Sequence, residues 1–217
     1  MDTILAESQK VEENYHEWPG PKYQKLISTK YRFDFHSTNP VSDLIWKRIP
    51  NELLDHAIIP TSYKLHAVLP GELHNDYEYA KCNDSEVGWY IYLVPFETYP
   101  TNTVVIDQWG LKTHWIDYKA NNQPIPVDQQ VPEELYKKYF SHCWPQEREY
   151  ITIKEIFPWQ AGSLIVIDMR YFHSSDNFLA NGMTIKKSLT MMAKIPRDKF
   201  LSQYSKVIDR FAGLAQG

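Results

Sequence analysis

The stretch AGSLIVIDMRYFHSSDNFLANGMTIKKS, residues 161–188, decides how this chain is read. Gly162-Ser163 is a turn signal. It feeds an unbroken apolar run, Leu164-Ile165-Val166-Ile167, closed by Asp168. A short β-branched run of that kind predicts a strand buried on both faces. Its far end delivers Arg170 and then His173. Ala180-Asn181-Gly182 signals a tight turn, so a hairpin is expected here. On the returning strand, strict alternation puts Lys186, Ser188, Thr190 and Met192 on one face. Ile185, Lys187, Leu189 and Met191 take the other, so each face carries one lysine.

Outward from that stretch, more strands are expected. Residues 62–69 alternate through Tyr63, Leu65, Ala67 and Leu69 and stop at Pro70-Gly71. Residues 89–94, 103–107, 149–157 and 184–195 are aromatic or β-branched runs, and residues 22–35 predict one or two strands more. Residues 121–132, rich in Pro, Asn and Gln, predict a loop. Pro132-Glu133-Glu134 opens a helix to about Phe140, with proline and acids in its first turn. Residues 42–56 approach helical spacing, interrupted by Pro50. Residues 198–214 carry Phe200, Leu201, Tyr204, Val207, Ile208 and Phe211, the pattern of an amphipathic C-terminal helix. Many short strands with helices mostly at the ends predict a mainly β architecture, an antiparallel sandwich or barrel with flanking helices. The expected organisation is one domain over residues 1–217: a polar extension over 1–21, a core over 62–195 and a helix over 196–217.

Composition narrows the function classes. Hydrophobic residues make up 43% of the 217 and aromatics 14%, which suits a chain with a real core. The net charge is −4 and no basic run occurs, so no nucleic-acid partner is expected. No apolar stretch reaches the roughly 18 residues of a membrane span, and the acidic first residues are unlike an export signal. Cys82 and Cys143 stand far apart, outside any metal-type spacing; two reduced thiols in a cytoplasmic protein is the reading that follows.

Chemistry enters through His74-Asn75-Asp76, set just after the Pro70-Gly71 break. With 8 His and 27 acidic residues in the chain, chance alone places an acid two positions after a histidine about once, and a local turn would use the same residues. The pair gains weight from His173. Two imidazoles and one carboxylate on one face of an octahedral iron(II) ion leave three neighbouring positions open, the arrangement used by non-haem iron oxygenases. A keto acid fills two of them and O2 the third. Its far carboxylate then needs a cation and a hydroxyl, the chemistry of Lys186 and Ser188. An inward lysine in turn needs an anion, because burying an unpaired charge is costly. Asp168 and Arg170 read as a structural ion pair beside His173.

Taken together, these residues resemble the iron(II)/2-oxoglutarate-dependent oxygenase superfamily. The resemblance spans residues 62–195 and implies a double-stranded β-helix (jelly-roll, cupin-like) core. It implies that His74, Asp76 and His173 hold Fe(II), and that Lys186 and Ser188 hold 2-oxoglutarate. Tyr92-Leu93 is similar to a Tyr-Leu pair from which prolyl-hydroxylase-like members also touch the cosubstrate, so Tyr92 joins the expected site. Lysine replaces the arginine of many relatives, a point charge in place of a planar fork. The Gly-Gly that often follows Tyr-Leu is absent, with Pro100-Thr101-Asn102-Thr103 in its region. The segment 111–147 is a long insert rich in Trp, Tyr and Pro, suited to a substrate wall. The implied activity is hydroxylation of a small molecule or peptide with release of succinate and CO2. Prolyl-hydroxylase-like and phytanoyl-CoA-hydroxylase-like members both fit. The rivals are a cupin-like metal-binding domain without turnover and a jelly-roll ligand-binding module using its aromatic residues.

Overall fold

The computed structural model describes residues 15–16, 28–33, 58–76, 87–110, 115–196 and 205–208. The expected helix over 42–56 and most of the polar extension lie outside them. The strands are β1 (Tyr15–His16), β2 (Ser28–Phe33), β3 (Ile58–Ala67), β4 (Val87–Pro95), β5 (Asn102–Trp109), β6 (Ile153–Pro158), β7 (Leu164–Asp168), β8 (Tyr171–Ser175), β9 (Lys186–Pro196) and β10 (Ser205–Ile208). Helices α1 (Trp115–Asn121) and α2 (Glu133–Phe140) fall between β5 and β6. Among the described residues the strands form two antiparallel sheets, ordered β1-β2-β3-β9-β4-β7-β10 and β6-β5-β8. The architecture is mainly β and jelly-roll-like.

Alternation along the strands shows how the layers stack. Ile91 and Leu93 of β4, Ile165 and Ile167 of β7 and Met192 of β9 share one buried cluster with Val105 of β5, Phe157 of β6 and Tyr171 of β8. That cluster is the filling between the two sheets. The neighbours of Val105, Val104 and Ile106, point the opposite way. They are buried with Trp115, Tyr136, Tyr139, Phe140, Ile151 and Phe172. The outer face of the small sheet is thus covered by residues within 115–151, which complete a second core. Helix α2 follows Pro132, carries Glu133 and Glu134 first and Lys137 and Lys138 last, and buries Tyr136, Tyr139 and Phe140. Phe140 is fully buried. Phe140→Ala is expected to lower stability by about 3–5 kcal/mol, read as a shift in denaturant midpoint. A shift under about 1 kcal/mol would mean that the insert is a loose elaboration.

Several expectations need correcting. The apolar strand does not run on into His173. The chain turns at Met169-Arg170 and enters the other sheet as β8. The cause is local: the Asp168 carboxylate accepts the Arg170 backbone N–H at 3.0 Å and the Arg170 guanidinium at 2.6 Å, fastening a turn two residues long. Nor does the 177–182 turn close a hairpin. β8 pairs with β5, whereas β9 pairs with β3 and β4, so this turn carries the chain between sheets. Gly182 supplies its positive φ of 81°. Residues 205–208, expected within a C-terminal helix, form β10 against β7. A strand there satisfies backbone groups that β7 would otherwise leave open on that side. The expected loop over 121–132 contains the end of α1 and a 3-10 turn at Val127–Gln129. The strand expected from 149 begins at Ile153, after a 3-10 helix at Pro145–Tyr150.

Candidate metal centre

His74 and His173, 99 positions apart by their numbers, face each other across a single antiparallel bridge. His74 N–H donates to the His173 carbonyl at 3.1 Å, and His173 N–H donates back at 2.8 Å. Directly opposed residues in such a pair project to the same side. The two rings accordingly lie side by side, centroids 4.6 Å apart at 50°. On its other flank His173 is opposite Val105, a residue of the filling between the sheets, so the imidazole faces inward. Asp76, two residues beyond His74, brings Oδ2 to 3.6 Å from His173 Nε2. Asn75 between them is buried and donates to the carbonyls of Gly110 (3.0 Å) and Arg170 (3.3 Å). It staples the loop to the turn that Asp168 and Arg170 hold.

The tautomers follow from the acceptors. His74 Nδ1 lies 2.7 Å from the Glu72 carbonyl and His173 Nδ1 3.2 Å from the Tyr171 carbonyl. A carbonyl only accepts, so each Nδ1 carries a hydrogen, and in the neutral ring the lone pair is on Nε2. Both histidines use the same device, the carbonyl two residues earlier. Two imidazoles and one carboxylate thus offer one ligand atom each, all within 4.8 Å of one another. Neighbouring ligands on one ion stand roughly 3 Å apart when bonds are about 2.1 Å, so the three need only a small closure. Burial pushes the His173 pKa down to about 4, with His74 adding to the effect and Asp76 opposing it. A neutral imidazole is the form a metal needs.

Strand β9 presents its inward face beside this group. Ser188 is opposite Leu65 and Pro95, Thr190 opposite Leu93, and Met192 opposite Ile91. Leu93, Ile91 and Met192 belong to the filling, so Lys186, Ser188 and Thr190 point into it as well. Lys186 is 5% exposed. Its ammonium sits 3.7 Å from the centre of the Trp159 ring and 3.4 Å from the Asn102 carbonyl. Burial lowers its pKa to about 7, against the opposing charge of Asp176. Lys187 points the other way, its Nζ 3.4 Å from Glu97 at the surface. Thr190 Oγ1 and Trp159 Nε1 are buried with no hydrogen-bond partner among the described residues. A buried cation beside unused polar atoms suits a small dicarboxylate, and the His-Asp-His group suits iron(II).

Tyr92 does not join this face. It lies between Ile91 and Leu93, and alternation turns it to the opposite side of the large sheet, stacked 6.4 Å from Tyr90. The Tyr-Leu pair brings Leu93 inward instead. Two residues near the site have no signal in spacing: Trp159, which underlies Lys186, and His142, taken up below. A groove of about 500 Å³ walled by Trp109, Gly110, Tyr118 and Phe172 lies on the helix-covered side of the small sheet, away from the inward face of His173.

No protein-family model matches the chain, and no curated protein matches it. Among solved structures it is similar to one described as the crystal structure of the epimerase SnoN in complex with Fe3+, alpha ketoglutarate and nogalamycin RO. That match has a TM-score of 0.52 at 12% identity, covering 93% of this chain and 78% of that one. At such identity the likeness speaks for a shared fold.

Proposed function

We propose that this chain is a non-haem iron(II)- and 2-oxoglutarate-dependent oxygenase. One observation carries the reading: a buried lysine shares the interior of the sandwich with a His-Asp-His group whose ligand atoms lie within 4.8 Å of one another. A fold shared with a protein whose structure contains iron and alpha ketoglutarate supports it. His74, Asp76 and His173 would hold the metal. Lys186 would meet the far carboxylate of 2-oxoglutarate, and the Ser188 hydroxyl would donate to it. Iron, 2-oxoglutarate and O2 together supply, when bound, oxidising power toward a C–H bond, with succinate and CO2 released.

The chain's own contribution is placement. The main-chain bridge between His74 and His173 keeps two ligands in register without relying on side-chain packing. The Asp76 carboxylate offsets cationic charge. The apolar residues of β4, β7 and β9 exclude water on the inner side, which strengthens the Lys186–carboxylate attraction. Prolyl-hydroxylase-like and phytanoyl-CoA-hydroxylase-like substrates, a peptide or a small molecule, are both compatible with this arrangement. A cytoplasmic location, one we infer from Cys82 and Cys143 as separate thiols, would keep iron in its ferrous state.

The test is anaerobic addition of Fe(II) and 2-oxoglutarate, followed by O2. A visible absorption band before O2 and succinate after it are expected. The fold neighbour is called an epimerase, so product analysis should seek both an added oxygen and an isomer of unchanged mass. Iron binding with neither band nor succinate would leave a cupin-like metal-binding domain as the reading.

A further inference from the structure

Within the 111–147 insert, His142 follows α2 and turns back toward the metal centre. Its Nε2 lies 3.1 Å from the Gly71 carbonyl and 3.0 Å from Ser174 Oγ. The two partners belong to the two arms of the site. Gly71 neighbours the His74 ring: a Cβ there would stand in ordinary van der Waals contact, 3.5 Å from His74 Cε1. Ser174 directly follows His173 in β8 and is fully buried. Ser174 Oγ itself lies 2.7 Å from the Gly71 carbonyl, closing a triangle, and 2.7 Å from the Ser175 carbonyl, the second acceptor for its one hydrogen. Because that carbonyl only accepts, the hydrogen of His142 belongs on Nε2. Its Nδ1 is then a buried lone pair with no partner among the described residues. Burial also lowers its pKa, with the Gly71 carbonyl opposing, which keeps the ring neutral.

We infer that His142 is a positioning residue: one imidazole in the insert ties the loop bearing His74 to the strand bearing His173 and sets their separation for a metal ion. The inference rests on the metal reading above. It gives the insert a role at the site that does not depend on touching substrate. Asn75 grips the same loop through the carbonyls of Gly110 and Arg170. Between the two clamps, the segment from Gly71 to Asp76 is held at both ends.

The experiment is calorimetric titration of the full-length protein with Fe(II) under anaerobic conditions, then recording of the band formed with 2-oxoglutarate. H142F should bind Fe(II) about 10–100-fold more weakly than the native chain, the usual cost of losing a group that orients a ligand. H142Q, whose amide nitrogen takes the place of Nε2, should recover affinity to within about threefold and restore the band. Should H142F fail to fold, H142N serves, since its shorter amide cannot reach both partners; it should be as weak as H142F is expected to be. Native affinity in H142F or H142N overturns the inference. So does an H142Q protein as weak as H142F or H142N, which would make the role one of packing. A native chain that binds no Fe(II) refutes the metal reading itself, a separate outcome.

Discussion

His173→Ala abolishes succinate release and tight iron(II) binding while the sandwich persists: this is the largest effect expected for the chain. On the proposed reading the side chain would supply one of three donor atoms, so its loss should exceed the roughly 10–100-fold penalty for removing a residue that merely orients a ligand. Folding tolerates the change because the link to His74 is made by backbone groups, which alanine retains. His74→Ala should behave alike, with a smaller stability cost because His74 is less buried. Anaerobic calorimetry with Fe(II), a succinate assay and a thermal melt decide the matter together. Normal succinate release by either variant would remove the histidines from the metal site. Equal loss of iron and of cooperative melting would mark them as fold residues.

Lys186→Ala should raise the KM for 2-oxoglutarate about 30-fold or more, since removing one side of a buried hydrogen-bonded charge pair costs about 2–5 kcal/mol. Lys187→Ala, whose partner is Glu97 at the surface, should change it by less than about twofold. The pH dependence gives a second signature. Burial disfavours the Lys186 charge and lowers its pKa to about 7. A dicarboxylate needs the ammonium form, so above pH 7 binding must take up a proton. Affinity for 2-oxoglutarate should therefore be level below pH 7 and fall as pH rises above it, by up to about tenfold per unit. Lys186→Arg, charged throughout, should flatten that slope even if its affinity differs. An unchanged KM in Lys186→Ala, or the same slope in Lys186→Arg, would assign the cosubstrate's anchor to another group.

Much of the β framework was legible because strand signals are local. Residues 89–94 and 103–107 fall inside β4 and β5, residues 62–69 overlap β3 as far as Ala67, and the expected helix from Pro132 to Phe140 is α2. Alternation in β9 grouped Lys186, Ser188, Thr190 and Met192 correctly, because a pleated strand has a period of two whatever surrounds it. The same rule applied to Tyr92-Leu93 would have shown that only one of the two can face the site. Trp159 and His142 left no trace: each matters through a neighbour distant in the chain, and neither stands in a spacing that repeats.

What the sequence determined by itself was several of the strands, which side chains share a face along each of these, and the types of ligand on offer, all properties of a few consecutive residues. Tertiary structure alone decided that the chain crosses between sheets at Met169-Arg170 and again near Gly182, that β7 takes β10 as its neighbour, and that Lys186 faces inward while Lys187 does not. Those outcomes depend on which strand edges meet and which face finds apolar cover. Both are settled by contacts between segments far apart in the chain, and no local period encodes them.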